Sequence, residues 1–169
     1  MQDYVQRLPT GQSTKSEYVK TGSDGTERAL IAVTDLPDGS HGFHRLEHDR
    51  KGSPFRWTGP GPESVFPLWI DQSQTITLTF RIISLGKNRL SDLSVDVQGE
   101  TYPLQELPGN KLAFTAGPIR ALADSHPTDV TLRVSRVFQP SQEGSEDARI
   151  LGVALASVEV ETERETVLS

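Results

Sequence analysis

Strict alternation of apolar and polar side chains over residues 74–83 is the feature that most constrains the fold. Successive side chains of a β-strand point to opposite faces, so a period of two buries one face and leaves the other in water. This pattern is typical of a strand in an antiparallel sheet with one solvated face. The apolar members are Ile76, Leu78, Phe80 and Ile82, and the polar members are Thr75, Thr77, Thr79 and Arg81.

The rest of the chain is predicted to form further short strands. Residues 93–97 and 130–135 repeat the alternation, and no segment has a convincing amphipathic-helix period. The 14 glycines and 11 prolines supply turn residues between the apolar runs. We therefore predict an all-β chain of about eight or nine strands, folded as an antiparallel β-sandwich of jelly-roll or immunoglobulin-like type. The shorter predicted strands cover 28–34, 43–47, 55–58, 101–104 and 111–115.

The last predicted element, residues 150–160, changes phase midway. Its apolar residues before and after the midpoint fall on opposite faces of a regular strand. One bulged residue near Ala156 and Ser157 would bring both sets to the core. The spacing also admits a helix, but the β-branched end favours a strand. The residues concerned are Val153 and Leu155 on one side, and Val158 and Val160 on the other.

Length and charge bound the domain organisation and the partners. The 169 residues fit one domain, predicted at 27–162, with a flexible or peripheral arm at 1–26 and an acidic tail at 163–169. The net charge is −6 and no basic stripe is present, which argues against a nucleic-acid partner. The sequence has no cysteine, no recognisable secretory leader and no stretch of roughly 18 apolar residues. We therefore expect no disulfide, no membrane insertion and a cytoplasmic location.

Gly59-Pro60-Gly61-Pro62 is rich in glycine but is interpreted as a rigid turn between strands. A phosphate cradle needs successive backbone N–H donors at the start of a helix, and two of these four residues have no N–H. Neither Gly-x-Ser-x-Gly nor His-Glu-x-x-His occurs in the chain. We therefore expect no cofactor and no catalytic residue.

Three of the four histidines, His41, His44 and His48, lie within eight residues and are interleaved with Glu47 and Asp49. Imidazole and carboxylate are competent ligands for zinc or nickel, so these histidines are weak candidates for a metal site. Neighbours on one strand rarely close a tetrahedral site, and the sequence shows no second ligand cluster. A polar strand edge or loop is the favoured interpretation, with a pH-sensitive or sugar-contacting surface as another.

The two tryptophans and Arg56 are the main candidates for ligand contact. Trp69 lies in the apolar run 65–70 and is predicted to be a core residue. Trp57 is either a core residue whose N–H finds a carbonyl or an exposed platform for a sugar ring. Arg56 is expected to pair with the carboxylate of Glu47 or Asp147. The candidate ligand-binding residues are Trp57, Arg56, His44 and Glu47.

Three segments of the chain carry a family resemblance. They are Gly42-Phe43-His44-Arg45-Leu46-Glu47, Phe55-Arg56-Trp57-Thr58-Gly59 and Asp147-Ala148-Arg149-Ile150-Leu151-Gly152-Val153-Ala154. Over about residues 40–160 the chain resembles a β-sandwich module of bacterial cell-surface polysaccharide biosynthesis proteins, often fused to glycosyltransferase domains. The resemblance implies a non-catalytic accessory sandwich that contacts a glycan or a partner enzyme, and it supplies no binding residues. This chain departs from the pattern in having no glycosyltransferase domain.

Three functional hypotheses follow. The first is a non-catalytic accessory or carbohydrate-binding-like module linked to bacterial polysaccharide biosynthesis, with a glycan or a glycosyltransferase as its partner. The second is a protein-interaction or structural sandwich whose sheet edges or acidic face dock another subunit. The third is a metal-dependent or glycoside-active enzyme, which would need two carboxylates about 5–10 Å apart in a cleft.

Overall fold

Residues 19–21, 26–68, 74–120 and 128–164 are described by the computed structural model. Within them the chain forms twelve β-strands and three 3₁₀ turns. These residues include no helix that is long and apolar enough to cross a membrane. The strands are β1 Val19–Thr21, β2 Thr26–Ala32, β3 Glu47–His48, β4 Pro54–Trp57, β5 Glu63–Leu68, β6 Gln74–Ser84, β7 Leu93–Val97, β8 Glu100–Pro103, β9 Gln105–Leu107, β10 Asn110–Arg120, β11 Thr128–Val134 and β12 Ala154–Arg164. The 3₁₀ turns are Val33–Asp35, Leu90–Asp92 and Pro140–Glu143.

The strands form two antiparallel sheets that enclose one core. The larger sheet has eight strands in the order β1-β2-β12-β6-β10-β9, with β4 also pairing with β12, and β3 with β4. The smaller sheet has the order β5-β11-β7-β8. The predicted antiparallel β-sandwich is confirmed. The strand number exceeds the prediction because strands as short as β1 and β9 are too brief to show a period.

The core lies between the inner faces of the two sheets. The four apolar residues of the 74–83 alternation are all fully buried. Phe80 of β6 meets Phe66 of β5 edge to face across the interface, with ring centroids 6.3 Å apart. Each large side chain buried in this way stabilises the fold by about 1.5–3 kcal/mol. The predicted alternation therefore sets which face of β6 meets the other sheet.

The predicted bulge in the last strand is confirmed. Leu155 of β12 pairs with Ile82, but Ser157 pairs with Arg81, so Ala156 is the extra residue. Because the side-chain period is two, one inserted residue returns the following side chains to the inner face. Val153, Leu155, Val158 and Val160 are accordingly all buried.

Proline lies in one strand that the sequence patterns missed and in another that they predicted too short. Strand β5 includes Pro67, and proline argues against a strand because it cannot donate to the ladder. Val65 exchanges both backbone bonds with His41, on the side of β5 away from β11. Residues two apart face the same side, so the missing N–H of Pro67 also faces away from β11 and costs no ladder bond. Strand β10 likewise runs past the predicted end at 115, with a register shift at Gly117 and Pro118.

Some predicted segments fall partly or wholly outside the described residues. Within the predicted arm, residues 19–21 pair with β2 at the edge of the larger sheet. Strand β12 continues to Arg164, inside the predicted tail. Residues 1–18 and 22–25 of the arm, Trp69 and residues 165–169 lie outside the described residues.

Candidate functional site

Residues 41–48 approach the sheets through single bridges and do not form one strand. His41 bridges to β5, Phe43 bridges to Thr58, and only β3 forms a ladder with β4. The predicted strand 43–47 is therefore wrong over 44–46. Gly42 makes the step between the two sheets: its φ is +86°, and a Cβ there would lie 2.4 Å from a β5 carbonyl oxygen. His44 and His48 consequently do not lie on one continuous strand.

Arg56 binds backbone carbonyls and not the carboxylates predicted for it. Its Nε donates to the Val33 carbonyl at 2.7 Å and its Nη1 to the His44 carbonyl at 3.0 Å. The expected pairing with Glu47 or Asp147 is wrong because both carboxylates are bound by another arginine. Arg56 thus joins the end of β2 to the segment before β3.

That other arginine is Arg149, which sequence reasoning did not select. Its Nε and Nη2 donate to the two carboxylate oxygens of Asp147 at 3.0 and 2.8 Å, and its Nη1 donates to Glu47 at 2.7 Å. Such forked contacts are the strongest arginine–carboxylate geometry. Hydrogen bonds from the Arg149 side chain and backbone lower the pKa of Asp147 to about 2. Hydrogen bonds to Asp147 and then Glu47 raise the pKa of Arg149, so Arg149 and Asp147 both stay charged at neutral pH.

His44 is fixed against the segment that precedes β12. Its Nε2 donates to the Ile150 carbonyl at 2.8 Å, which sets the tautomer of the ring. Gly59 lies directly beneath this contact, with φ at +135°. A Cβ on Gly59 would lie 2.3 Å from the Ile150 oxygen and 3.0 Å from His44 Nε2. Only glycine fits this position, for both conformational and steric reasons.

Thr58 is the buried polar centre of the same region, with 1% of its surface exposed. Its N–H donates to the Val153 carbonyl, its carbonyl accepts from Gly152, and its Oγ1 accepts from the Val153 N–H at 3.0 Å. A Cβ on Gly152 would lie 2.4 Å from that Oγ1. Thr58 and Gly152 are therefore matched: one supplies the acceptor and the other leaves room for it.

The segments that carry the family resemblance meet in space. We call residues 42–47, 55–59 and 147–154 together the three-segment joint. Its bonds run from Gly59 to Gly42, from His44 to Ile150, from Thr58 to both Gly152 and Val153, and from Arg149 to Glu47. Its polar groups are largely bound to one another, which is the behaviour expected of a structural element.

The three histidines do not assemble a ligand set. His41 Nδ1 lies 3.2 Å from the Gly39 carbonyl, His44 Nε2 is bound to Ile150, and His48 is exposed on β3. In the part of the chain that the structure describes, no three histidine, cysteine, aspartate or glutamate side chains lie close enough to hold a metal ion. The interpretation of these residues as a polar edge and loop agrees with this placement.

Trp57 is half-buried and packs on an aromatic partner that the sequence did not reveal. Its ring meets Phe138 edge to face, with centroids 5.7 Å apart, and Lys87 Nζ lies 5.9 Å from the Phe138 ring centroid. Trp57 is therefore neither a fully buried core residue nor an open sugar platform. The contact joins β4 to the segment that contains Phe138, which bridges to Leu151.

An open polar depression of about 430 Å³ lies beside the joint, lined by residues 34–41, Phe43 and Arg56. We call it the 34–43 depression. Its rim is a turn in which the backbone and hydroxyl of Ser40 both donate to the Pro37 carbonyl, at 3.1 and 2.6 Å. Gly39 supplies the positive φ of +93° that this turn requires.

Of the four predicted ligand-contact residues, only Arg56 lines the 34–43 depression. His44 and Glu47 belong to the three-segment joint, and Trp57 faces Phe138. Comparison with known proteins adds no assignment: no family model, no curated protein and no solved structure matches the chain.

Proposed function

We propose that this chain is a non-catalytic, carbohydrate-binding-like accessory module linked to bacterial polysaccharide biosynthesis, and that it contacts glycan through the 34–43 depression. The supporting observation is the make-up of this surface. Its lining includes the basic residue Arg56, the acidic residues Asp35 and Asp38, and the aromatic residue Phe43. Convergent polar groups around an aromatic side chain suit a ligand with hydroxyls on its edge and C–H groups on its face.

A non-catalytic role agrees with the state of the carboxylates that the fold brings together. Glu47 and Asp147 share Arg149, and Asp147 has a pKa of about 2. A glycosidase acid needs a pKa raised towards neutrality so that it carries a proton to the leaving oxygen. Arg149 acts in the opposite direction, because its hydrogen bonds lower the pKa of Asp147.

The direct test is calorimetric titration of the full chain with oligosaccharides of the bacterial envelope. Asp38 is exposed and lines the depression, so Asp38→Ala is expected to weaken binding by about tenfold, the value of a hydrogen bond to a charged group. Asp129→Ala is the matched control, because Asp129 is an exposed aspartate on β11, outside the depression. Absence of heat with every oligosaccharide, or an equal effect of the two variants, would refute the proposal.

The alternative role, protein interaction, is favoured by one surface feature. Val137 and Ile150 are exposed apolar residues with 41% and 39% of their surface accessible. Each of them directly precedes one residue of the Phe138–Leu151 bridge. Because successive side chains of extended backbone point to opposite faces, both lie on the face opposite to Phe138 and Leu151. Sedimentation of the wild type and of Ile150→Asp tests this role, which predicts a dimer in the wild type and a monomer in the variant. A monomer at all concentrations in both would count against self-association.

A further inference from the structure

Arg56 is a partly buried guanidinium without a counter-ion among the described residues. Its two protein partners, the carbonyls of Val33 and His44, are neutral dipoles. A guanidinium has five N–H donors, so three remain after these two bonds, including both on Nη2. Arg149, in the same three-segment joint, differs from Arg56 in having two carboxylate partners, Glu47 and Asp147. The fold therefore satisfies one arginine with protein anions and leaves the other charged towards an open surface.

This arrangement is a pre-positioned anion contact. The two carbonyl bonds fix the plane of the guanidinium, so little side-chain entropy remains to be lost when a ligand binds. Removing a positive charge from water is unfavourable unless an anion or several acceptors compensate it. A ligand anion at Nη2 supplies that compensation, and its bonds to a charged donor are about twice as strong as neutral ones.

The acidic lining restricts which anion fits. Asp38 is exposed on the turn and Asp35 has a partner of its own, so two negative charges accompany Arg56 around the depression. Carboxylates accept hydrogen bonds from hydroxyls but repel further anions. A ligand with one carboxylate and several hydroxyls matches this set, whereas a dianionic phosphate meets greater repulsion.

We infer that the 34–43 depression binds a sugar that carries a carboxylate, a uronic acid residue, with the carboxylate on Arg56. This inference rests on the proposed glycan-binding function and specifies its ligand class.

The experiment compares three monosaccharide ligands on the wild-type chain by calorimetry: galacturonic acid, its methyl ester and galactose 6-phosphate. The ester keeps the shape of the acid and removes only its charge. We expect the acid to bind about tenfold more tightly than the ester, because one charge-assisted contact is lost. The wild-type comparison needs no variant, so the role of Arg56 in folding does not confound it.

Two arginine variants then assign the contact. Arg56→Gln is expected to abolish the preference for acid over ester, whereas Arg45→Gln, which changes an exposed arginine outside the lining, is expected to keep it. Urea unfolding of both variants confirms that each is folded under the titration conditions. If Arg56→Gln does not fold, the ligand comparison on the wild type decides the inference.

The outcomes separate the two proposals. Equal binding of acid and ester, or tighter binding of the sugar phosphate, overturns the carboxylate inference and leaves glycan binding standing. A preference for the acid that survives in folded Arg56→Gln overturns the assignment to Arg56. No binding of any of these sugars or of the envelope oligosaccharides overturns the proposed function itself.

Discussion

Thr58 and Gly152 provide the sharpest test of the three-segment joint. The Gly152 backbone donates to the Thr58 carbonyl, and an added Cβ would lie 2.4 Å from Thr58 Oγ1 and 3.2 Å from a Val134 methyl. Gly152→Ala must therefore displace Oγ1, which accepts the N–H of fully buried Val153. The effects of substituting Thr58 and Gly152 on the free energy of unfolding are therefore expected to be strongly coupled. The space beside Gly152 and the hydrogen bond from Val153 both depend on the position of Thr58 Oγ1.

The magnitudes follow from the groups involved. Overpacking of a tight site costs about 1–3 kcal/mol, so Gly152→Ala should lower the free energy of unfolding by that amount. Thr58→Ala leaves the buried Val153 N–H without its acceptor, which also costs about 1–3 kcal/mol, with up to about 1 kcal/mol more for the lost methyl. With Oγ1 gone, the new Cβ occupies the vacated space. Gly152→Ala should then cost under about 0.5 kcal/mol, since alanine also lowers the entropy of the unfolded chain.

The measurement is a double-mutant cycle by urea unfolding of the wild type, both single variants and the double variant. We expect the double variant to lose about 1–2 kcal/mol less unfolding free energy than the sum of the two single variants. Gly61→Ala is the control, because a Cβ there meets nothing within 4 Å and its φ is not positive, so its effect should stay within about 0.5 kcal/mol. Additive single effects would refute the close approach of Thr58 and Gly152.

Three further predictions concern single residues. Asn88 is buried and its amide makes three hydrogen bonds to the Leu85 and Arg136 backbone, so Asn88→Ala should lower the unfolding free energy by about 2 kcal/mol with an unchanged urea m-value. Asp147, whose pKa is lowered to about 2, should stabilise the fold fully above pH 3.8 and lose that effect as the pH falls through 2. The melting temperatures of the wild type and Asp147→Asn should therefore converge at acid pH; a constant gap would contradict this linkage. Deletion of Ala156 should turn the inward residues of the following β12 segment outward and abolish folding in circular dichroism, whereas Ala156→Gly keeps the residue count and should fold.

The sequence predicted those parts of the fold whose structure is determined by residues close to one another in the chain. The period of two placed Ile76 to Ile82 on the core face, and the phase change in 150–160 required one extra residue, found at Ala156. The Gly59–Pro62 turn between β4 and β5 followed from residues that cannot donate or continue a ladder. Each of these depends only on neighbours within about one strand.

The site was less predictable because it depends on competition between distant groups. Arg56 and Arg149 could each have taken Glu47, and Arg149 forms that bond across 102 positions of the sequence. Asp147 lies two residues from Arg149, a proximity that favours the fork between them and leaves Arg56 to the backbone. The Asp147-x-Arg149 spacing was the available signal. No sequence signal indicated that residues 34–41 line a depression, because turn residues show that the chain bends but not what the bend encloses.

The placement of the joint and the depression suggests how this sandwich divides its tasks. Gly59 and Gly152 occupy positions where a Cβ would strike a carbonyl or hydroxyl oxygen less than 3 Å away, so their identity is dictated by packing. Both glycines lie in the three-segment joint, where their backbone N–H groups donate to Gly42 and Thr58. Arg56 belongs to both regions: its carbonyl bonds hold the joint, and its side chain has three further N–H donors and lines the depression. Changes in the 34–41 turn would alter the ligand that we propose for this arginine without disturbing the contacts of Gly59 and Gly152.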